Sequence, residues 1–460
     1  MKPVWIFSFL SVISLVSCKK FLQVGQPQNL ITSAAVYSGD ATATAVVTGM
    51  YGQMVNSGGF ASGGNSSVTL LSGMSADDFF NYATDPTSLG FYTNSLSTQN
   101  FAVNLWSDPY QYIGICNAVI EGLQNSPGVT TATRNELTGE AKFTRAFCNY
   151  YLTALFGDVP LVTSTDYKVN QLLARVPSNT VYRQIISDLK DAQNLCDSDF
   201  SFSGGERDRP NKWAATALLA RIYLNTGAYD SAEAEATSVI GNTNIYNLVS
   251  NPDSVFLANS TEAIWQLKPM GDVMNTNEGF LFILLGDPAY VSLSTSLLNA
   301  FEPGDTRRLK WVNSFNDGTN TYYYPFKYKI QYGNTPFNEY SMVLRLSEQY
   351  LIRAEARAMQ SNTAGAQADL NIIRARAGLL GTAAVSLPDL IAAILRERRV
   401  ELFSEWGHRW LDLKRTGIID AVMDSADNWK GGSWQTYQQL YPIPQMDIAA
   451  DKNIKQNSGY

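Results

Sequence analysis

Histidine is nearly missing from this chain: among 460 residues there is one, His408. Zinc sites draw on sets of three or four Cys, His and carboxylate ligands, so a single histidine among scattered cysteines supplies no such set. Cysteine is scarce too, at four, and no two form a C-x-x-C pair. Charge is thin, 16% of residues, and its balance is negative, −7. Beyond Lys19-Lys20 no basic cluster occurs, which speaks against nucleic acid as a ligand. The N-terminal apolar run from Val4 to Val16 is about 13 residues, short of the ~20 that span a bilayer. Also absent are G-x-S-x-G, the phosphate-binding P-loop, and a G-x-G-x-x-G set between a strand and a helix, so the common catalytic and nucleotide motifs are missing.

What is present begins at that run. Lys2 supplies a positive start and the apolar stretch has the length of an export signal. It ends on Leu15-Val16-Ser17-Cys18, the form of a lipobox, in which the Cys18 thiol is acylated and the chain is cut to make Cys18 the new N-terminus. Residues 1–17 are thus expected to be a lipoprotein signal and 18–33 a lipid-tethered polar linker. Each buried methylene of an acyl chain contributes about 0.8 kcal/mol, so a multiply acylated cysteine holds a domain firmly on a membrane. Cys116, Cys148 and Cys196 remain, an odd number that permits at most one disulfide. All fall in expected helices and read as buried free thiols.

At this length the chain exceeds the ~250–300 residues at which one core usually stops growing, so either several domains or a repeat-built fold is expected. The stretch "NKWAATALLARIYLNTGAYDSAEAEATSVI" favours repeats. Ala220 and Ala232 let two antiparallel helices approach, Gly227 makes the turn, and Tyr223 and Tyr229 fill the groove, as in tetratricopeptide units. A second copy follows at residues 343–378, with Tyr350, Ala354, Ala358, Ala366, Leu370 and Ile373, and "QSNTAG" as the turn. Helical segments at 34–56 and 106–123, and at 133–156 and 178–196, are candidates for two more pairs. The expected fold is mostly α, a tetratricopeptide-like superhelix of about four helical pairs. Residues 34–460 are read as one domain with loop-rich insertions at about 57–105 and 241–342, the second carrying a few short strands.

Two clusters of carboxylates invite a catalytic reading. In "LRERRVELFSEWGHRWLDLKRTG", Glu397, Glu401 and Glu405 are spaced four apart near His408. An arginine such as Arg398 on the apolar face of that helix needs a carboxylate, Glu401 or Glu405, so a buried ion-pair network is expected. Asp77-Asp78 is the other pair; adjacent residues in an extended segment point oppositely, which argues against two acids flanking one glycosidic bond. Near the end, "LYPIPQMDIAADKNIKQNSGY" is an extended, proline-stiffened tail that either docks on the body or stays disordered.

Aromatics make up 12% of the chain, with Tyr well ahead of Trp, beside plentiful Asn, Ser, Thr and Gly. That balance suits neutral, hydroxyl-rich ligands. Outside the helical stripes the aromatics gather in the two insertions. Trp311, Tyr82 and Tyr92 are the expected stacking platforms, Asp77 and Asn81 their hydrogen-bonding partners, and Phe280 and Tyr290 further members of the face, with Trp429 and Trp434 in reserve.

Several of these stretches together, the lipobox, "GEAKFTRAFCNYYLTALFGDVPLV", "AATALLARIYLNTGAYDSA", "LRLSEQYLIRAEA", "LRERRVELFSEWGHRWLDLKRTG" and "YPIPQMDIAADKNIKQNSGY", resemble the SusD/RagB family of Bacteroidetes outer-membrane lipoproteins. The resemblance implies an α-superhelical body with a loop-rich, nutrient-binding face and no catalytic activity. It also implies a partner, a SusC-like TonB-dependent β-barrel that imports the captured oligosaccharide or, in some members, peptide. The site implied is the outer membrane, held through Cys18 and facing the cell surface. No cofactor, metal or nucleic acid is implied. The family's binding residues sit in variable loops, so none carries over by motif.

Overall fold

The computed structural model describes residues 33–56, 58–99, 103–271, 274–333 and 336–460. The expected export signal, Cys18 and the expected linker through residue 32 lie outside them.

The body is mostly helical. Eight helices pack each against the next in chain order: Asn104–Gln124, Thr131–Phe156, Ser178–Leu195, Lys212–Asn225, Tyr229–Ile240, Leu346–Met359, Thr363–Arg376 and Leu387–Leu402. They form the four pairs of a tetratricopeptide-like superhelix. Helix Lys212–Asn225 shows how the sequence enforces this. Asn211 caps it, its side-chain oxygen accepting from the Trp213 and Ala214 amides at 3.0 and 3.1 Å. Every residue from Ala214 to Leu224 is buried, and Ala220 and, on the next helix, Ala232 are both at 0% exposure. The turn between them places Gly227 at φ 75°, a region open to glycine without a Cβ penalty. In the second copy the same left-handed position is taken by Ser361, at φ 64°.

Spacing alone suggests pairing 34–56 with 106–123, and here the structure differs. Helix Asp40–Asn56 lies on both Asn104–Gln124 and Thr131–Phe156, while Asn104–Gln124 packs chiefly on Thr131–Phe156. The short turn through Pro127-Gly128 makes those two helices neighbours. The segment 58–99, by contrast, adds helices Val68–Ser75 and Pro86–Tyr92 around strand Phe79–Asn81 to the main core. Helix Val68–Ser75 is buried at every position, and a helix buried all round shows no amphipathic period to read. The 241–342 insertion leaves helix Tyr229–Ile240 against Leu346–Met359, so the stack continues across it.

Among the described residues the strands form two-stranded antiparallel sheets. Ala263–Leu267 pairs with Ser341–Arg345 and lies buried under the insertion. One contiguous core runs from Ala43 to Ile443, and a satellite around Leu351, Leu370 and Ile394 fills the last helical pairs. Cys116, Cys148 and Cys196 are buried free thiols. The tail docks: Tyr441 is fully buried, its hydroxyl within 3.0 Å of Ser75 Oγ, and Asn457 Nδ2 donates to the Phe156 and Tyr441 carbonyls.

The charged run of Leu387–Leu402 is structural. Glu401 receives Arg345 and Arg376 at 2.5 Å and Arg307 at 2.9 Å. Burial would raise its carboxyl, but Arg376, Arg345 and Arg307 hold it well below the usual range. Glu397 takes Arg307 and Arg374; Glu405 takes Arg345 and Lys327. Arg398 pairs with neither Glu401 nor Glu405: it reaches forward to Asp412 at 2.8 Å, because three other arginines already fill Glu401. His408 is buried among these groups, and desolvation pushes it down to about 4. Arg221 and Glu348, joined by two 2.7 Å bonds, tie helix Lys212–Asn225 to Leu346–Met359.

Candidate ligand-binding face

The two aromatic insertions meet through a short sheet. Strand Phe79–Asn81 pairs antiparallel with Val291–Leu293, Phe79 opposite Leu293 and Asn81 opposite Val291. Beyond it the Tyr82 amide donates to the Tyr290 carbonyl at 2.7 Å. Asp77 and Asp78 anchor the entry to this strand. Arg409 meets Asp77 at 2.7 Å, and Arg399 bridges Asp77 at 2.9 Å and Asp78 at 3.0 Å. Although burial alone would raise it, Asp77 is held below the ordinary carboxylate range by Arg399 and Arg409. Its role is to fix the strand, so it is unavailable as a ligand partner.

Next to the sheet, helix Asn277–Phe282 is capped by Thr276, whose hydroxyl accepts from the Gly279 amide at 3.0 Å. Asn277 Nδ2 clamps the first insertion by donating to the Val55 and Ser62 carbonyls at 2.9 and 2.8 Å. Alternation on this short helix sorts its rings. Phe282 turns inward and stacks on Phe79 at 5.7 Å, whereas Phe280 stays 44% exposed with Tyr332 edge-on at 5.7 Å. Gln331 Nε2 donates to the Phe280 and Ile283 carbonyls. Asn65 Nδ2 donates to the Tyr290 hydroxyl at 3.3 Å.

These groups enclose a cavity of about 550 Å³, its wall including Asn65, Asn277, Phe280, Leu285, Tyr290 and Gln331. That volume falls within the ~300–1,000 Å³ typical of small-ligand sites. Asp287 is the charged side chain on its wall, and no lysine or arginine lines it. Behind the wall lies Glu278, which takes a hydrogen bond from Ser341 Oγ on one oxygen and has no partner for the other. With no cation beside it, burial pushes Glu278 up to about 7. A Cβ on Gly63 would stand 2.2 Å from the Glu278 carboxyl carbon, and Gly63 has φ 76°, so glycine is required twice over there.

The expected residues divide accordingly. Phe280 and Tyr290 line the cavity. Tyr82, 40% exposed, lies on the adjoining strand outside the lining, with its hydroxyl 3.2 Å from Ser292 Oγ and Tyr322 edge-on at 5.5 Å. Asn81 is turned onto its own loop, bonding both the carbonyl and the amide of Ala83. Trp311 is corrected outright: it is fully buried, donates to the Pro252 carbonyl at 2.9 Å, and has Lys327, Arg345 and Arg376 around its ring. Tyr92 is buried as well, packed edge-on to Trp429 under Lys430. Trp434 is buried and hydrogen-bonded to Asp420. The sequence reading missed Asn65, Asn277, Leu285 and Gln331. Asn65 stands in "NSGGFASGGNSS", a run legible as a helix breaker whose partners in the other insertion leave no local trace.

Two family models match the chain, one described as the SusD family over residues 307–460 and one as starch-binding associating with outer membrane over residues 20–224. The chain belongs to the SusD/RagB family. A SusD-like protein P2 of Formosa agariphila is 25% identical to this SusD-family chain, with all of both chains covered. The starch-binding protein SusD of Bacteroides thetaiotaomicron is 25% identical, over 81% of this chain and 80% of that one. A SusD superfamily protein from Bacteroides vulgatus superposes with a TM-score of 0.80 at 19% identity, covering 92% of this chain and 99% of the other. Among the described residues of this family member no helix is long and apolar enough to cross a membrane, and no group of three or more His, Cys, Asp or Glu is placed to hold a metal ion.

Proposed function

We propose that this chain is an outer-membrane lipoprotein, tethered through Cys18 and facing the cell surface, that binds an oligo- or polysaccharide and hands it to a SusC-like TonB-dependent β-barrel. Residues 34–460 act as one domain behind the 18–33 linker. The observation that carries this reading is the cavity at the junction of the two insertions. It offers the Phe280 and Tyr290 rings for sugar faces and Asn65, whose side-chain oxygen carries no bond among the described residues, for hydroxyls, on a rigid helical stack. The family description and the starch-binding relative support a glycan as the cargo. Absence of a cation on the wall favours a neutral glycan over a sulfated or uronic one, and its binding should vary little with salt. A binding role is favoured over hydrolysis because Asp77 and Asp78 are committed to Arg399 and Arg409.

The test is a calorimetric screen of the chain lacking residues 1–18 against neutral and acidic polysaccharides and peptides. One neutral glycan should bind and release no reducing ends, and Phe280→Ala and Tyr290→Ala should each weaken its binding about tenfold while staying folded. Full affinity in both folded variants would place the site elsewhere. In cells, Cys18→Ala should leave the membrane fraction; retention after a salt wash would remove the lipid tether from the account.

A further inference from the structure

A second cavity, of about 470 Å³, shares no wall residue with the first. It opens where the C-terminal end of helix Thr131–Phe156 meets the start of Ser178–Leu195, the end of Lys212–Asn225, helix His408–Arg415 and the docked tail. Its wall is charged differently from the first, with Lys414, Arg175 and Arg415 as cations and Asp158 as the acid.

An account of these charges leaves a surplus. Arg415 is satisfied by Glu355 and Asp412 at 2.5 and 2.8 Å. Asp158 spends one oxygen on the amide and hydroxyl of Ser178, at 2.8 and 3.1 Å, and so caps that helix. Arg175 meets only uncharged acceptors: the Asp158 and Lys455 carbonyls, each at 2.7 Å, and Asn457 Oδ1. Lys414 makes one bond, to the Ala154 carbonyl, and has no carboxylate within ion-pair distance among the described residues. An ammonium has three donors, so two remain for the cavity. Two unpaired cations against one acid leave a net charge near +1. The rest of the wall is what a hydroxylated ligand needs: the Tyr182 ring, and Gln439, Ser178, Thr153 and Asn225, the last held by its bond to the Tyr150 hydroxyl at 2.8 Å.

We propose that this cavity is a second binding site, specific for a small monoanionic sugar acid whose carboxylate is received by Lys414. The ring of such a ligand lies against Tyr182 and its hydroxyls meet the neutral side chains. A neutral sugar leaves the ammonium uncompensated; a dianion brings more charge than the wall offsets. The site therefore discriminates in the opposite sense from the cation-free cavity between the insertions, and one chain can sense two kinds of carbohydrate.

Calorimetry on the purified protein at about pH 6 and low salt, with glucuronate, glucose and inorganic phosphate, tests this. Glucuronate should bind at least tenfold more tightly than glucose, phosphate should bind more weakly than glucuronate, and Lys414→Gln should abolish the preference. Equal binding of glucuronate and glucose, or a preference that survives Lys414→Gln, would overturn the proposal; phosphate matching glucuronate would overturn the sugar-acid assignment. Should Lys414→Gln fail to fold without its bond to Ala154, the wild-type protein decides. Burial pushes Lys414 down to about 7, so the preference should fade as the pH is raised to about 9.5. A preference undiminished there would also refute it.

Discussion

Glu401 and Glu278 are both buried acids, and they are treated in opposite ways. Three arginines converge on Glu401 and keep it ionised. Glu278 has a serine on one oxygen, nothing on the other, and a carboxyl pushed toward its protonated form. The first belongs to a network with its charges matched inside the protein. The second backs a wall where the Phe280 ring is left facing solvent. Matched charges mark the ion-pair network and an unmatched acid backs the candidate face, however catalytic the residue types look in sequence.

The largest expected effect comes from emptying the saturated side. Glu401→Ala leaves three buried arginines short of a partner and should cost roughly 3–5 kcal/mol in urea unfolding. A loss below about 1 kcal/mol would mean the network is solvent-relaxed and the contrast with Glu278 unfounded.

Glu278→Gln sharpens the other side through pH. The folded value of Glu278 lies above its unfolded value, so its contribution to stability is fully present below the unfolded value, near 4.3, and is lost as pH rises through about 7. Glutamine removes that slope. At about pH 8.5 the variant should be more stable than wild type by roughly 3 kcal/mol, with the gap shrinking toward pH 5. Parallel pH profiles for the two proteins would show that Glu278 is ionised in the fold.

Ala232→Leu tests whether the scaffold is as closely packed as its charges are matched. Overpacking against Ala220 should cost about 1–3 kcal/mol, read as a lowered urea midpoint; an unchanged midpoint would mean the two helices have room between them. The smallest effect on folding belongs to Phe280→Ala. An exposed ring should change stability by less than about 0.5 kcal/mol, yet glycan affinity should fall about tenfold, some 1.4 kcal/mol. A destabilised variant with intact binding would make Phe280 a packing residue.

The helical stack was legible because its signals are local: alanines at helical spacing and a glycine between them. The ion-pair network was legible in kind but not in partner, since Arg398 finds Asp412 while Glu401 is claimed from residues 307, 345 and 376. The face was half legible. Phe280 and Tyr290 line the cavity, but nothing near Trp311 announces that Pro252 and three cations surround it. Exposure of a loop aromatic depends on contacts made far along the chain, and neither composition nor period records them. The second cavity was hidden for a like reason: a chain of net charge −7 gives no hint of a local cation surplus.

Because helix Tyr229–Ile240 lies directly against Leu346–Met359, the 241–342 segment leaves and re-enters the stack at neighbouring points. A loop whose ends are already held together is thermodynamically tolerant of length: each doubling adds only about 0.6 kcal/mol of closure entropy. Its surface turns can therefore lengthen or shorten at little entropic cost, while Arg307, Lys327 and strand Ala263–Leu267 tie the rest of the segment to the helical frame. Exchange of those turns would leave the frame in place.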